Sequence, residues 1–199
     1  MPKGFSERER TIIRAKLRER GGELFGTYGL RKTNIDELAR VAGISKGAFY
    51  LFYESKEELF FELLEQFEAK YQAAMLKQIV EDPAPPRERM KALLTKALSV
   101  RQDNGLFARL SQEEYQYLFR KLPEERLQAH MRGDAEFAVE FVAAWRQAGV
   151  EIACEPEMVS SLIRALFLMS VHEDDIGAEM YARVIETYTE LLANYLVPS

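Results

Sequence analysis

A chain of 199 residues, 47% apolar and 30% charged, has the make-up of an ordinary globular protein of one or two small domains. A single cysteine, Cys154, excludes an internal disulfide and a cysteine metal cluster, and suits a reducing cytoplasm. No apolar run has the length of a membrane span, and the N-terminus lacks the apolar core of a secretion signal, so the expected location is cytoplasmic.

The net charge of −5 speaks against nucleic acid, but the distribution of charge does not. Residues 1–56 hold 12 Lys/Arg against 7 Asp/Glu, while residues 57–199 hold 15 against 25. Salt screens charges beyond roughly 8 Å, so the local sign matters more than the total. A basic head on an acidic body suits a protein whose head alone touches DNA.

In chain order, Ser6 and Glu9 form a capping-box pattern, so the first helix is expected to begin near Glu7. Ile13, Leu17, Gly21, Leu24 and Phe25 fall on one helical stripe, and Gly29 is the expected stop. Gly21 is expected to permit close packing of two helices. Thr33 reads as the N-cap of a second helix carrying Ile35, Leu38, Ala39 and Ala42. Gly43 ends that helix, and Ser45 caps a short third one with Ala48, Phe49 and Phe52. Two short helices joined by a tight glycine turn make a helix-turn-helix, whose second helix can enter the major groove. Ser55 and Glu58 then open a long helix from Lys56 to about Val80, ended by the linker Asp82–Pro86. That helix is expected to act as a lever between head and body.

The body shows only helical patterns, at 86–102, 106–122, 124–148, 156–172 and 176–196. The expected fold class is all-α, with about nine helices. The segment at 156–172 is apolar on nearly every side from Leu162 to Val171, and the last one carries Met180, Val184, Ile185, Tyr188, Leu191, Leu192, Tyr195 and Leu196. Such helices must be covered on more than one side, and a second subunit can cover them.

The stretch Thr33, Leu38-Ala39, Ala42-Gly43-Ile44, Ser45-Lys46-Gly47, Tyr50 and Lys56 resembles the DNA-binding domain of the TetR family of bacterial transcriptional regulators. The match covers about the first sixty residues. It departs at Leu51-Phe52-Tyr53, where many members carry His or another polar residue before Phe. The resemblance implies a DNA-binding domain at 1–55 and an effector-binding and dimerisation domain at 56–199. It carries over Thr33, Tyr50 and Lys56 as phosphate contacts. Lys46 is the candidate for a guanine edge and Ala48 for a thymine methyl. Ser45, Gly47, Leu51 and Phe52 complete the candidate DNA surface.

The resemblance also implies a homodimer through the last two helices, with Leu162, Leu166, Phe167, Val184, Tyr188 and Leu192 as candidate interface residues. It implies an effector cavity in the body, for a small apolar or amphipathic molecule. Phe107, Tyr115, Tyr117, Phe141 and Trp145 are the candidate lining, with Arg109, Glu113 and His130 as polar groups. The expected function is a ligand-responsive regulator, by family norm a repressor, bound to a palindromic double-stranded operator. No cofactor and no metal are expected.

An enzyme is the competing class, because Gly43-Ile44-Ser45-Lys46-Gly47 matches the Gly-x-Ser-x-Gly nucleophile elbow. That elbow needs a strand before its serine, and here a helix precedes it. A helix cap accounts for Ser45 fully. His172-Glu-Asp-Asp175 reads as a charged loop rather than a metal site.

Overall fold

A computed structural model describes residues 5–198 except 104 and 109. Arg109 and the Phe107 side chain therefore lie outside the described residues. Eleven helical segments follow one another, and no strand occurs among the described residues. They are α1 (Glu7–Tyr28), α2 (Ile35–Ala42), α3 (Lys46–Phe49), α4 (Lys56–Glu81), α5 (Pro86–Asp103), α6 (Gly105–Ala108), α7 (Gln112–Lys121), α8 (Glu124–Gln147), α9 (Pro156–Val171), α10 (Glu173–Ile176) and α11 (Ala178–Leu196). The segment expected as one helix at 106–122 is split into α6 and α7, and α10 is a single extra turn. Ser111 causes the split: its hydroxyl accepts from the Glu114 amide and starts α7 afresh. No described helix is long and apolar enough to cross a membrane.

The chain packs as two compact units, residues 1–67 with 104–122, and residues 68–103 with 123–199. The first unit therefore takes in α6 and α7, which sequence alone assigns to the body.

In the first unit, Ser6 and Glu9 form the expected capping box. Ile13, Leu17, Gly21 and Phe25 face inward from α1. A Cβ on Gly21 would stand 3.1 Å from Leu38 and 3.3 Å from Leu59, so the bare backbone lets α1 approach α2 and α4 closely. Gly29 caps α1 at φ +80°, a conformation L side chains rarely adopt, and its amide donates to the Phe25 carbonyl.

The second unit is built around Met90, Leu93 and Leu94 of α5, Phe141 and Trp145 of α8, Val159 and Leu166 of α9, and Ile185 and Leu196 of α11. Met75 and Ile79 of α4 complete this core. Here α5 packs on α9 and α11, and α8 on α9. Gly133 does not interrupt α8, which runs unbroken through it.

Candidate nucleic-acid interface

The helix-turn-helix forms for local reasons. Asn34 caps α2 by accepting from the Glu37 amide, and Gly43 closes it at φ +75°. The Gly43 amide turns back to Arg40, and the Ile44 amide to Ala39, which satisfies the last carbonyls of α2. Ser45 then caps α3 through the Ala48 amide. The regular α-turn covers only Lys46–Phe49. Beyond it, tighter bonds from Leu51 to Ala48 and from Phe52 to Phe49 carry the chain round.

This geometry sorts the candidate DNA residues. Ser45, Lys46, Gly47, Tyr50 and Leu51 are exposed, and Ala48 is half-buried. Tyr50 and Leu51 are 50% and 56% exposed. Lys46 Nζ lies 2.7 Å from Asp36 Oδ2 on α2. The Asp36 carboxylate holds the Lys46 ammonium pKa above its ordinary value. Both side chains are exposed, so this pair is weak and can yield to a DNA acceptor.

Three residues are placed otherwise than expected. Thr33 does not cap α2, because Asn34 does. The Thr33 side chain is buried, and its hydroxyl donates to the Gly29 carbonyl at 2.8 Å, so it is turned away from any phosphate. Phe52 is buried rather than presented to DNA. Its ring packs 5.6 Å from Phe5 and beneath the Arg10 guanidinium at 5.3 Å. Lys56 donates to the carbonyls of Leu30, Arg31 and Thr33 at 2.8, 3.0 and 2.8 Å. An ammonium has three donors, and here all three tie down the loop before α2. Burial pushes the Lys56 pKa down. The apparent anion site at the start of α4 is thus a clamp on the head's own backbone.

Two further residues support the same surface: Arg10, whose place in the basic first helix suggests a DNA-backbone arm or a solvated face, and Glu114, to which the sequence assigns no role. Arg10 donates to the Leu51 carbonyl at 3.2 Å, fixing the end of the recognition turn to α1. Glu114 of α7 accepts from the Arg31 amide at 3.3 Å and stands against Gly29. The spacing of Ser111 and Glu114 was the available signal for α7, but nothing local points Glu114 at residue 31. Tyr117 belongs to this network too. It donates to Glu57 Oε1 at 2.6 Å, and that bond with burial pushes its pKa up to about 12.

The effector candidates are consequently divided. Tyr115 and Tyr117 lie on α7 in the first unit, whereas Phe141 and Trp145 are fully buried in the second. A shallow groove of about 510 Å³ beside α8, lined by residues such as Val142, Arg146, Ile152 and Cys154, includes none of them. Of the polar candidates, Glu113 meets the Ser111 hydroxyl at 3.2 Å, and His130 lies 3.8 Å from Glu68.

The dimer candidates are also sorted. Leu166 is buried in the core of its own unit, and Leu162 and Leu192 pack against that core. Phe167 and Val184 are half-buried, and Tyr188 is exposed. The large exposed apolar residues are instead Met158 and Leu168 of α9 and Met180, Tyr188, Leu191 and Tyr195 of α11.

The basic head carries one expected result. DNA binding should weaken steeply between about 50 and 200 mM salt, as counterions return to the phosphates. A binding titration at several salt concentrations checks this, and a nearly flat slope would remove the electrostatic account.

Residues 18–63 match the model for bacterial regulatory proteins of the tetR family. Over 191 residues the chain is 24% identical to the HTH-type transcriptional regulator YhgD of Bacillus subtilis, covering 92% of this chain and 94% of that one. It is 32% identical over 105 residues to the HTH-type transcriptional repressor KstR2 of Mycobacterium tuberculosis, covering 53% of this chain and 52% of the other. The fold matches that of a TetR-family transcriptional regulator from Pectobacterium atrosepticum with a TM-score of 0.71, at 21% identity over 98% of this chain and 99% of that one. These relatives are regulators rather than enzymes, and Ser45 sits in a helix-turn-helix turn rather than on a nucleophile elbow. Helix-turn-helix geometry and sequence kinship agree over the head: residues 18–63 form a DNA-binding domain of the tetR family of bacterial regulatory proteins, and the all-helical fold of the chain matches that of a TetR-family regulator.

Proposed function

We propose that this protein is a ligand-released repressor that binds a palindromic operator as a homodimer. Residues 1–55 hold the DNA-reading surface, and 56–199 serve effector binding and dimerisation. Each subunit lays the Ser45–Leu51 turn in a major groove, with half-sites about one helical turn apart. Lys46 reads a guanine edge or holds a phosphate, Ala48 and Leu51 meet thymine methyls, and the Tyr50 hydroxyl meets a phosphate.

The observation that carries the dimer is the apolar stripe left uncovered on α9 and α11. Met180, Tyr188, Leu191 and Tyr195 recur at helical spacing along one face of α11, and each is about half exposed. Monomeric proteins rarely expose a row of this kind. A second copy, laid stripe to stripe, covers both rows at once in an isologous interface. One recognition helix reads only a few base pairs, so pairing also supplies the length of site that genomic selectivity needs. The effector is a small apolar or amphipathic molecule whose binding favours a head spacing that misfits the operator.

Selection of bound sequences from random DNA tests this reading. The expected product is an inverted repeat with two equivalent half-sites. In the same selection, Lys46→Ala should relax preference at one base position per half-site, costing about 1–3 kcal/mol of discrimination there. Unchanged preferences would reduce Lys46 to a backbone contact.

A further inference from the structure

The core of the second unit holds buried hydrogen-bond donors that no acceptor among the described residues meets. Trp145 is fully buried, and its Nε1–H has no acceptor among the described residues. Arg89 is 7% exposed, and its Nε–H has none either. The two side chains touch, with the Arg89 guanidinium carbon 4.6 Å from the centre of the Trp145 ring. Tyr71 packs against the same core, and its buried hydroxyl is likewise unmatched. The buried carboxylate oxygen without a donor among the described residues, Glu114 Oε2, belongs to the first unit. Unmatched buried groups of one kind are costly, and here all three are able to donate.

The charge points the same way. Arg89 Nη1 donates to the carbonyls of Ile79 and Asp82 at 2.8 and 3.0 Å. These lie at the C-terminal end of α4, where the helix dipole carries about half a negative charge. With the Trp145 face this offsets part of the guanidinium charge, and part remains. No carboxylate of the protein is paired with Arg89 among the described residues. The surrounding wall is apolar: Met90, Leu93, Leu94 and Phe141 belong to the same core.

We infer that Arg89, Trp145 and Tyr71 form a carboxylate-binding site, and that its ligand is an amphipathic monocarboxylic acid. This rests on the effector reading above and specifies its chemistry. The carboxylate accepts from Arg89 Nε and Trp145 Nε1, with the Tyr71 hydroxyl as a third donor. The aliphatic or aromatic body lies among the core side chains. Both Arg89 and Trp145 are closed to solvent, so the acid enters when α5 and α8 part, and it favours that parted state.

Trp145 is the only tryptophan in the chain, so its fluorescence reports on the site directly. The experiment titrates the full-length protein with sodium decanoate and with decanol at constant ionic strength. Decanoate should shift Trp145 emission, raise Tm, and bind roughly ten-fold tighter or more than the alcohol. Arg89→Met should abolish that preference for the acid while leaving alcohol binding in place. If Arg89→Met does not fold, Trp145→Phe, read by Tm, removes one donor and should reduce the preference. Equal binding of acid and alcohol by the wild type, or an undiminished preference in the variants, overturns the site. So does a crystal soaked in decanoate in which only a buried water meets the donors. Operator release is measured separately. Carboxylate binding without release removes the effector reading and keeps the site, whereas release without any change at Trp145 does the reverse.

Discussion

Leu191→Asp should split the dimer and lower operator affinity by roughly 100-fold or more, with the head untouched. Leu191 is 61% exposed in the single chain, so aspartate there is tolerated by the folded monomer. Inside an interface the same carboxylate would be buried without a partner, which costs several kcal/mol. The two copies each bring one aspartate to a symmetric interface, so the penalty is doubled by the two-fold axis. Leu192→Asp, one residue on, is a less clean probe. Leu192 packs against the core of its own unit, and a charge there would damage the monomer as well. Sedimentation beside a DNA titration checks the prediction, with circular dichroism to show that the fold is kept. A Leu191→Asp protein that remains dimeric would move the interface elsewhere.

Lys56→Met should destabilise the head by about 2–4 kcal/mol, which lowers binding to every DNA sequence because the reading surface itself is lost. The methylene stem is kept, so the change isolates the ammonium. Its loss leaves the carbonyls of Leu30, Arg31 and Thr33 without their donor. The same loop is held from the other side by Glu114, and Glu57 is held by Tyr117. Thermal unfolding of wild type and variant measures the effect. A variant with unchanged stability but uniformly weaker DNA binding would return Lys56 to the role of a phosphate contact.

The helix-turn-helix was legible because its signals are local. Ser6 with Glu9, Gly29, Gly43 and Ser45 each act within a few residues of themselves, and each appears where it was read. Thr33 was misread for a reason the sequence hides. Thr33 and Asn34 are both good caps at adjacent positions, and the choice is made by the Gly29 carbonyl, which takes the Thr33 hydroxyl. Lys56 was illegible for a similar reason. Its acceptors lie 23 to 26 residues earlier, and a lysine opening a helix looks the same whether it faces a phosphate or a carbonyl. Phe52 and Leu51 show the limit of periodicity in a tight turn, since only packing against Phe5 and Arg10 decides which is buried. In α9 and α11 the apolar positions suggest a partner but do not fix the face. Leu166 turned inward, while Leu168 and Leu191 turned outward. The division of Tyr117 from Trp145 was beyond sequence altogether, because α7 joins a unit that its place in the chain does not suggest.

Operator recognition as proposed depends on the pair. Light scattering of the wild-type protein at micromolar concentration, alone and with the selected operator duplex, tests it most directly. A chain of 23.0 kDa should behave as two chains in free solution and as two chains on each duplex. A protein that is monomeric at that concentration, and still binds one half-site tightly as a single chain, would contradict it.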